Sequence, residues 1–147
     1  MSLTKPTPGE CVDRQTILNL KASHALEQDK EPYYFVQESE DIQRYLERVW
    51  FPHVTKDVQD KFDNLVHLLD NINAQLWDLE DEMRRHIKVF GDNEGRACIT
   101  FTAFKIANLN DARTDTVKQI NALFKVYERN NDKIYKVLAQ HEISRHT

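Results

Sequence analysis

A chain of 147 residues, 40% hydrophobic and 30% charged, is long enough for one domain with a core of its own, and it contains no run near the roughly 18 apolar residues of a membrane-spanning helix. A net charge of −4 argues against a nucleic-acid binder with a broad basic face but leaves room for a small basic pocket. Cys11 and Cys98, its two cysteines, make neither a disulfide framework nor a CxxC metal site, and the opening Met1 to Pro6 has no apolar stretch suited to a signal peptide, so a cytoplasmic protein with both thiols in packing roles is expected, with no membrane and no nucleic-acid partner.

Three Gly and four Pro are few helix breakers, which predicts long helices. Thr7-Pro8-Gly9-Glu10 is a helix start, with Thr as N-cap, Pro in the first helical position and Glu closing a capping box. The first helix is expected over about residues 8–28 and stops before Pro32, which disfavours the α conformation at Glu31. A second follows over about 34–50, with Phe35, Ile42, Tyr45, Leu46, Val49 and Trp50 on its apolar side, and Phe51-Pro52-His53 breaks it. Thr55 can cap the third helix, where Asp57 suits the helix dipole. Val58, Phe62, Leu65, Leu69, Ile72, Leu76, Leu79, Met83, Ile87 and Phe90 then recur at helical spacing as far as Gly91, giving a helix over about 55–90 with Gly91 as its C-terminal cap.

The cluster Gly91-Asp92-Asn93-Glu94-Gly95 reads as a turn, and residues 97–101 as the lead-in to a fourth helix over about 102–140. That helix carries Ile106, Leu109, Val117, Ile120, Phe124, Tyr127, Ile134, Val137 and Leu138, with a kink or break expected at Asn130-Asn131-Asp132 and a frayed tail from Ser144. A short connection makes long neighbouring helices antiparallel. The expected fold is therefore all-α: a single helical domain over 1–147, a four-helix bundle built on a long antiparallel helical hairpin.

Beside the apolar stripe of the third helix runs a polar row, Asn73, Trp77, Glu80 and Arg84. Pairing levels across an antiparallel hairpin sets Glu80 against Asp111 and Asn73 against Lys118, in a stretch of the fourth helix that also holds Asn110, Arg113 and Asp115. Arg113 occupies a place on the stripe where an apolar residue is due. The first helix adds Asp13, Arg14, Lys21 and His24. Three readings stay open. A Glu80–Arg113 ion pair with Asn73 and Asn110 satisfying one another would be bundle architecture. Arg84, Arg113 and Lys118 with Trp77 as a stacking wall would hold a small anionic ligand. Glu80, Asp81, Asp111 and Asp115 would hold Mg²⁺ for a nucleotide or phosphoester hydrolase. A fourth possibility is oligomerisation, with Tyr34, Phe35, Tyr45 and Trp50 as the partner surface of a homo-oligomer. No P-loop, GxSxG or ExxH pattern is present.

Three segments carry a family resemblance. Residues 9–21, with Gly9-Glu10, Asp13-Arg14, Thr16-Ile17-Leu18 and Lys21, resemble a GExxD[KR]x[ST]ILxxK opening; Asn73 to Arg84 resemble NxxLWxxEDxxR; Leu109 to Asp115 resemble LNxxRxD. Together they resemble a family of bacterial all-helical proteins without an assigned activity. The resemblance implies an all-helical fold, a bacterial source and a setting in envelope polysaccharide or sugar-nucleotide metabolism. It singles out Asp13, Arg14, Lys21, Asn73, Trp77, Glu80, Asp81, Arg84, Asn110, Arg113 and Asp115. From the residues and the resemblance together, a non-catalytic accessory or ligand-binding bundle is the expected function.

Overall fold

The computed structural model describes residues 5–94 and 96–125, with the side chains of 90–96 left aside. Four α-helices make up the described residues: α1 (Pro8–Glu27), α2 (Tyr33–Val49), α3 (Lys56–Glu94) and α4 (Arg96–Leu123), with no strand. α1 begins on the box its sequence encodes. The Glu10 amide donates to Thr7 Oγ1 at 3.2 Å and the Thr7 amide to Glu10 Oε2 at 3.4 Å, with Pro8 first in the helix. Asp29, two residues past α1, and His53, in the connection between α2 and α3, stand in the left-handed region, at φ 55° and 70°. Thr55 opens α3, its hydroxyl accepting from the Val58 amide at 3.3 Å.

The α3–α4 turn differs from the expected one. α3 runs through Gly91 to Glu94, and α4 starts at Arg96 rather than near Thr102. A glycine within a helix costs only about 1 kcal/mol against alanine, too little to end a helix of 39 residues. Ile99, half-buried, and Thr102, buried, continue the inner stripe below Ile106 and Leu109, so the chain re-enters a helix at once. At the other end α4 stops at Leu123, where the Phe124 amide turns back to the Asn121 carbonyl at 3.2 Å. The expected continuation to residue 140, with its break at 130–132 and its frayed tail, lies outside the described residues.

α3 and α4 form the antiparallel hairpin. Phe62 meets Phe124 edge to face, ring centroids 5.6 Å apart, and Leu79 shares a groove with Leu109. α1 lies on this hairpin, touching both helices, and α2 packs on α1. The α1–α2 seam is largely polar: Arg14 is bidentate to Glu38, Gln15 reaches the Ser39 carbonyl and Gln43, and Ser39 bonds Asn19. Only the C-terminal end of α2 enters the core, through Leu46, Val49 and Trp50. There Trp50, Phe51, Phe62 and Phe124 form an aromatic cluster, and Trp50 Nε1 and the Tyr45 hydroxyl both donate to the Pro6 carbonyl. α3 is about 58 Å long at 1.5 Å per residue, whereas α1 has 20 residues. The far end of the hairpin extends past α1, with Ile87, Phe101 and Phe104 exposed.

α1 comes close to α4 at Gly9. A Cβ there would stand 2.5 Å from the Val117 carbonyl oxygen and 2.8 Å from Asn121 Oδ1, which accepts from the Gly9 amide at 2.7 Å. Gly9→Ala is expected to push α1 off α4 and lower stability by about 1–3 kcal/mol, the cost of overpacking, as read by urea denaturation. Burial, with the Glu10 charge adding, pushes the Cys11 thiol up to about 12, while Cys98 is exposed. Because the thiolate is the reactive form, the native protein at pH 8 is expected to label at one thiol with a chromogenic disulfide reagent, and the unfolded chain at two. Raised in the fold, the Cys11 value also makes stability fall as pH climbs from the ordinary thiol range towards 12.

Candidate functional site

One carboxylate joins α1, α3 and α4. Asp13 projects from the face of α1 that rests on the hairpin, and its side chain is 16% exposed. Arg113 of α4 grips it side-on: Nε stands 2.9 Å from Oδ1 and 3.0 Å from Oδ2, and Nη2 2.6 Å from Oδ2. Asn73 of α3, itself buried, donates to Asp13 Oδ1 at 2.9 Å and to Thr16 Oγ1 at 2.6 Å. The Thr16 hydroxyl donates in turn to the Asp13 carbonyl at 2.8 Å. Each member satisfies another, as a buried polar network requires. The hydrogen bonds to Asp13 raise the Arg113 pKa above its ordinary value; burial opposes this, and the charges of Asp13 and Glu80 add to the rise.

The sequence places a polar layer at this height, and Asn73, Arg113 and Asp13 do converge. The partnership differs. Arg113 takes its carboxylate from α1 rather than from Glu80, which is exposed and acts on it only through its field. Asn73 turns to α1 instead of meeting Asn110. The cause is the shape of α1: with Gly9 it sits close enough to α4 for a four-atom aspartate side chain to reach both neighbours, leaving Glu80 on a more outward row.

The other candidates separate. Arg14 pairs with Glu38 of α2, and the Lys21 ammonium stands 5.9 Å from the Phe35 ring centroid, so both serve the α1–α2 seam. Arg84 pairs with Asp81 one turn earlier on α3. The Trp77 ring is covered by His24, stacked at 4.4 Å and 5° between planes, and His24 Nδ1 lies 3.3 Å from Glu27. Asp111 and Asp115 are exposed on α4. Among the described residues no three His, Cys, Asp or Glu side chains gather in a group that would hold a metal ion, so Glu80, Asp81, Asp111 and Asp115 do not share a site. On α2 the expected partner surface divides: Tyr34 is 79% exposed, Phe35 and Tyr45 are half-buried, and Trp50 belongs to the core.

Beside the network a groove of about 490 Å³ opens to solvent. Its lining is Asp13, Asn110, Arg113, Thr114, Val117 and Lys118. Arg113 Nη1 has no partner among the described residues, and the side chain is 33% exposed, so the guanidinium is anchored through one edge and offers the other. Lys118 has no carboxylate partner among the described residues either. Sequence reasoning reached Asn110, Arg113 and Lys118 as candidates and placed Thr114 in the same polar stretch, level with Trp77, without a role; it gave Thr16 no part in the polar layer. Thr16 stands three residues after Asp13, a spacing that sets both on one helix face, and that was the signal for it.

None of the described helices is long and apolar enough to cross a membrane. No family model, no curated protein and no solved structure matches the chain. The class the fold defines is thus an all-α four-helix bundle, and its site has to be read from its own chemistry.

Removing one partner of the Asp13–Arg113 pair strands a charge that is mostly covered. Because Arg113 keeps a third of its side chain in water, the loss for Arg113→Ala or Asp13→Ala is expected at about 1.5–3 kcal/mol, the range for hydrogen bonds to charged groups, below that of a fully buried pair. The double variant should lose less than the sum of the singles, with a coupling of about 1–3 kcal/mol in a urea-denaturation cycle. Additive losses would mean that the pair does not act as a unit.

Proposed function

We propose that the protein is a non-catalytic helical accessory protein that holds a small anionic ligand in the groove beside Arg113. The observation that carries the reading is the lining itself: Arg113, held by Asp13, lines one groove together with Lys118, Asn110 and Thr114. These are the donors that phosphate and carboxylate groups take, and arginine held by a carboxylate behind it presents a planar fork to an oxyanion. The groove's one carboxylate, Asp13, already accepts from Arg113 and Asn73, which favours binding over acid–base chemistry. Trp77 and Arg84 take no part in this version of the site, being engaged with His24 and Asp81.

The resemblance carried by the three motif segments adds a bacterial source and a setting in envelope polysaccharide synthesis; the cysteine usage and the opening residues add the cytoplasm, and sugar-nucleotide metabolism is the process such a ligand would serve. It is consistent with the groove in one respect: Asp13, Asn73, Asn110 and Arg113 all stand in those segments.

Titration calorimetry with orthophosphate and with nucleoside-diphosphate sugars, each with and without Mg²⁺, tests the reading. The expected result is metal-independent binding with a Kd between about 10 μM and 1 mM, weakened at least ~10-fold by Lys118→Glu and by raised salt. Lys118 is exposed, so its reversal leaves the fold intact, as circular dichroism would verify. No binding up to ~10 mM, or affinity unchanged in Lys118→Glu, would overturn it. Binding that appears only with Mg²⁺ would favour the hydrolase instead.

A further inference from the structure

α2 is held unevenly along its length. Its C-terminal end is anchored in the core by Leu46 and Val49, the buried residues of the helix. From Tyr33 to Tyr45 no residue is fully buried, and Tyr33, Tyr34 and Val36 are exposed. Of the described helices, α1 alone packs against α2. Over the first half of α2 the shared polar contacts are the Arg14–Glu38 pair, the Gln15 amide on the Ser39 carbonyl at 3.2 Å, and the Ser39–Asn19 hydrogen bond at 3.1 Å. The side chains of Arg14 and Glu38 are 46% and 48% exposed, so water screens the pair and it contributes little. Underneath lies an apolar strip of α1. Leu18 is inaccessible and Ala25 nearly so; they stand seven residues apart on one face, the face that turns Cys11 towards Ile42 and Tyr45. The matching row on α2 is Phe35 and Ile42, also seven apart and only half-buried.

The local sequence does not favour a helix at this point. Tyr33-Tyr34-Phe35-Val36 are four consecutive residues with high strand preference and modest helix preference. Pro32 in the N-cap position makes no side-chain bond, and no acid stands in the first turn; the Tyr33 amide is satisfied by Glu31 Oε1 at 3.1 Å. α1, by contrast, opens on a complete capping box. Ordering every residue has an entropic cost. Over these turns neither propensity nor a full cap offsets it, which leaves the half-buried Phe35 and Ile42 and the solvated seam.

We propose that residues 33–42 are an order–disorder segment: they unfold from α1 and refold on it while α1, α3, α4 and the anchored end of α2 stay in place. Opening uncovers the Leu18 strip of α1 and the aromatic run of α2 together. Anything that binds either one draws the equilibrium towards the open form, so the segment is a point of control built into an otherwise fixed bundle.

Native-state hydrogen exchange of the whole chain, at urea concentrations below the unfolding transition, tests this. The informative amides are those of residues 37–42, which lie inside the helix rather than at its first turn. Their protection is expected to be at least ~100-fold below that of residues 69–76 in α3 and nearly independent of urea, as for small local openings. Contacts broken by the opening should control it. Arg14→Ala should lower protection at 37–42 about 3-fold, and Val36→Ala, at an exposed position, should raise it about 2-fold through helix propensity. A contact that survives the opening should have no effect on it. Ile120→Val, in the core on α4, should therefore lower protection at 69–76 about 5-fold and leave 37–42 unchanged. Equal protection in the two segments, a matching loss at 37–42 in Ile120→Val, or no response to Arg14→Ala and Val36→Ala would each make α2 part of one cooperative unit and overturn the inference.

Discussion

The Asp13 carboxylate is the point on which three helices agree. It is mostly out of water, and a charge in that position is costly unless paired and hydrogen-bonded. Arg113 and Asn73 provide this from two different helices, so the carboxylate is satisfied only when α1, α3 and α4 stand in one particular register. A slide of α4 by one residue would rotate Arg113 by about 100° away from it. Apolar contacts alone tolerate such slides far better, because they are non-directional. The network is therefore best understood as a register device. Replacing a buried ion pair by apolar residues is often neutral or stabilising, so its role here is to select one arrangement among several that would bury similar area.

Around that point the bundle is graded. On the side of the Asp13 level where the helices converge with the end of α2, the core is closed: Leu69, Ile120 and Val49 are inaccessible and the aromatic cluster interlocks. On the other side α1 gives out while the hairpin continues, and apolar residues such as Phe101 and Phe104 stand open. α2 depends on α1 for its place, through a seam of ion pairs and amide bonds in contact with solvent, each worth little on its own. Anything that loosens α1 from α4, at Gly9 or at Asp13, thus bears on the position of α2 as well.

Much of the fold was legible because it follows from local rules. The apolar stripes of α3 and α4 have helical period, the capping box at Thr7 is a matter of four adjacent residues, and Phe51-Pro52-His53 separates α2 from α3 as punctuation should. The turn at 91–95 misled for a physical reason: two glycines flanking polar residues look like a loop, yet a long helix absorbs one glycine at small cost. Arg113 was legible as a polar intrusion on an apolar stripe. Its partner was not. A short connection tells that α3 and α4 are neighbours and so suggests Glu80, but the rotation and height of α1 are set by tertiary packing, notably the close approach at Gly9, which no local pattern records. The same limit applies to Trp77, whose stacking on His24 joins residues 53 positions apart in the chain.

The network also gives the proposed site its character. Asp13 neutralises Arg113, so the pair contributes little net field to the groove. It contributes a donor whose direction is fixed before any ligand arrives, with the side-chain ordering already complete in the folded protein. In the proposed site the attraction would come from Lys118, which is exposed and screened beyond about 8 Å at physiological ionic strength. For the proposed ligand a division of labour follows from burial: the half-buried arginine would define where an oxyanion sits, and the exposed lysine how often one arrives. A register device shared by three helices is well suited to the first task, because the geometry that selects the fold is the same geometry that holds the guanidinium still.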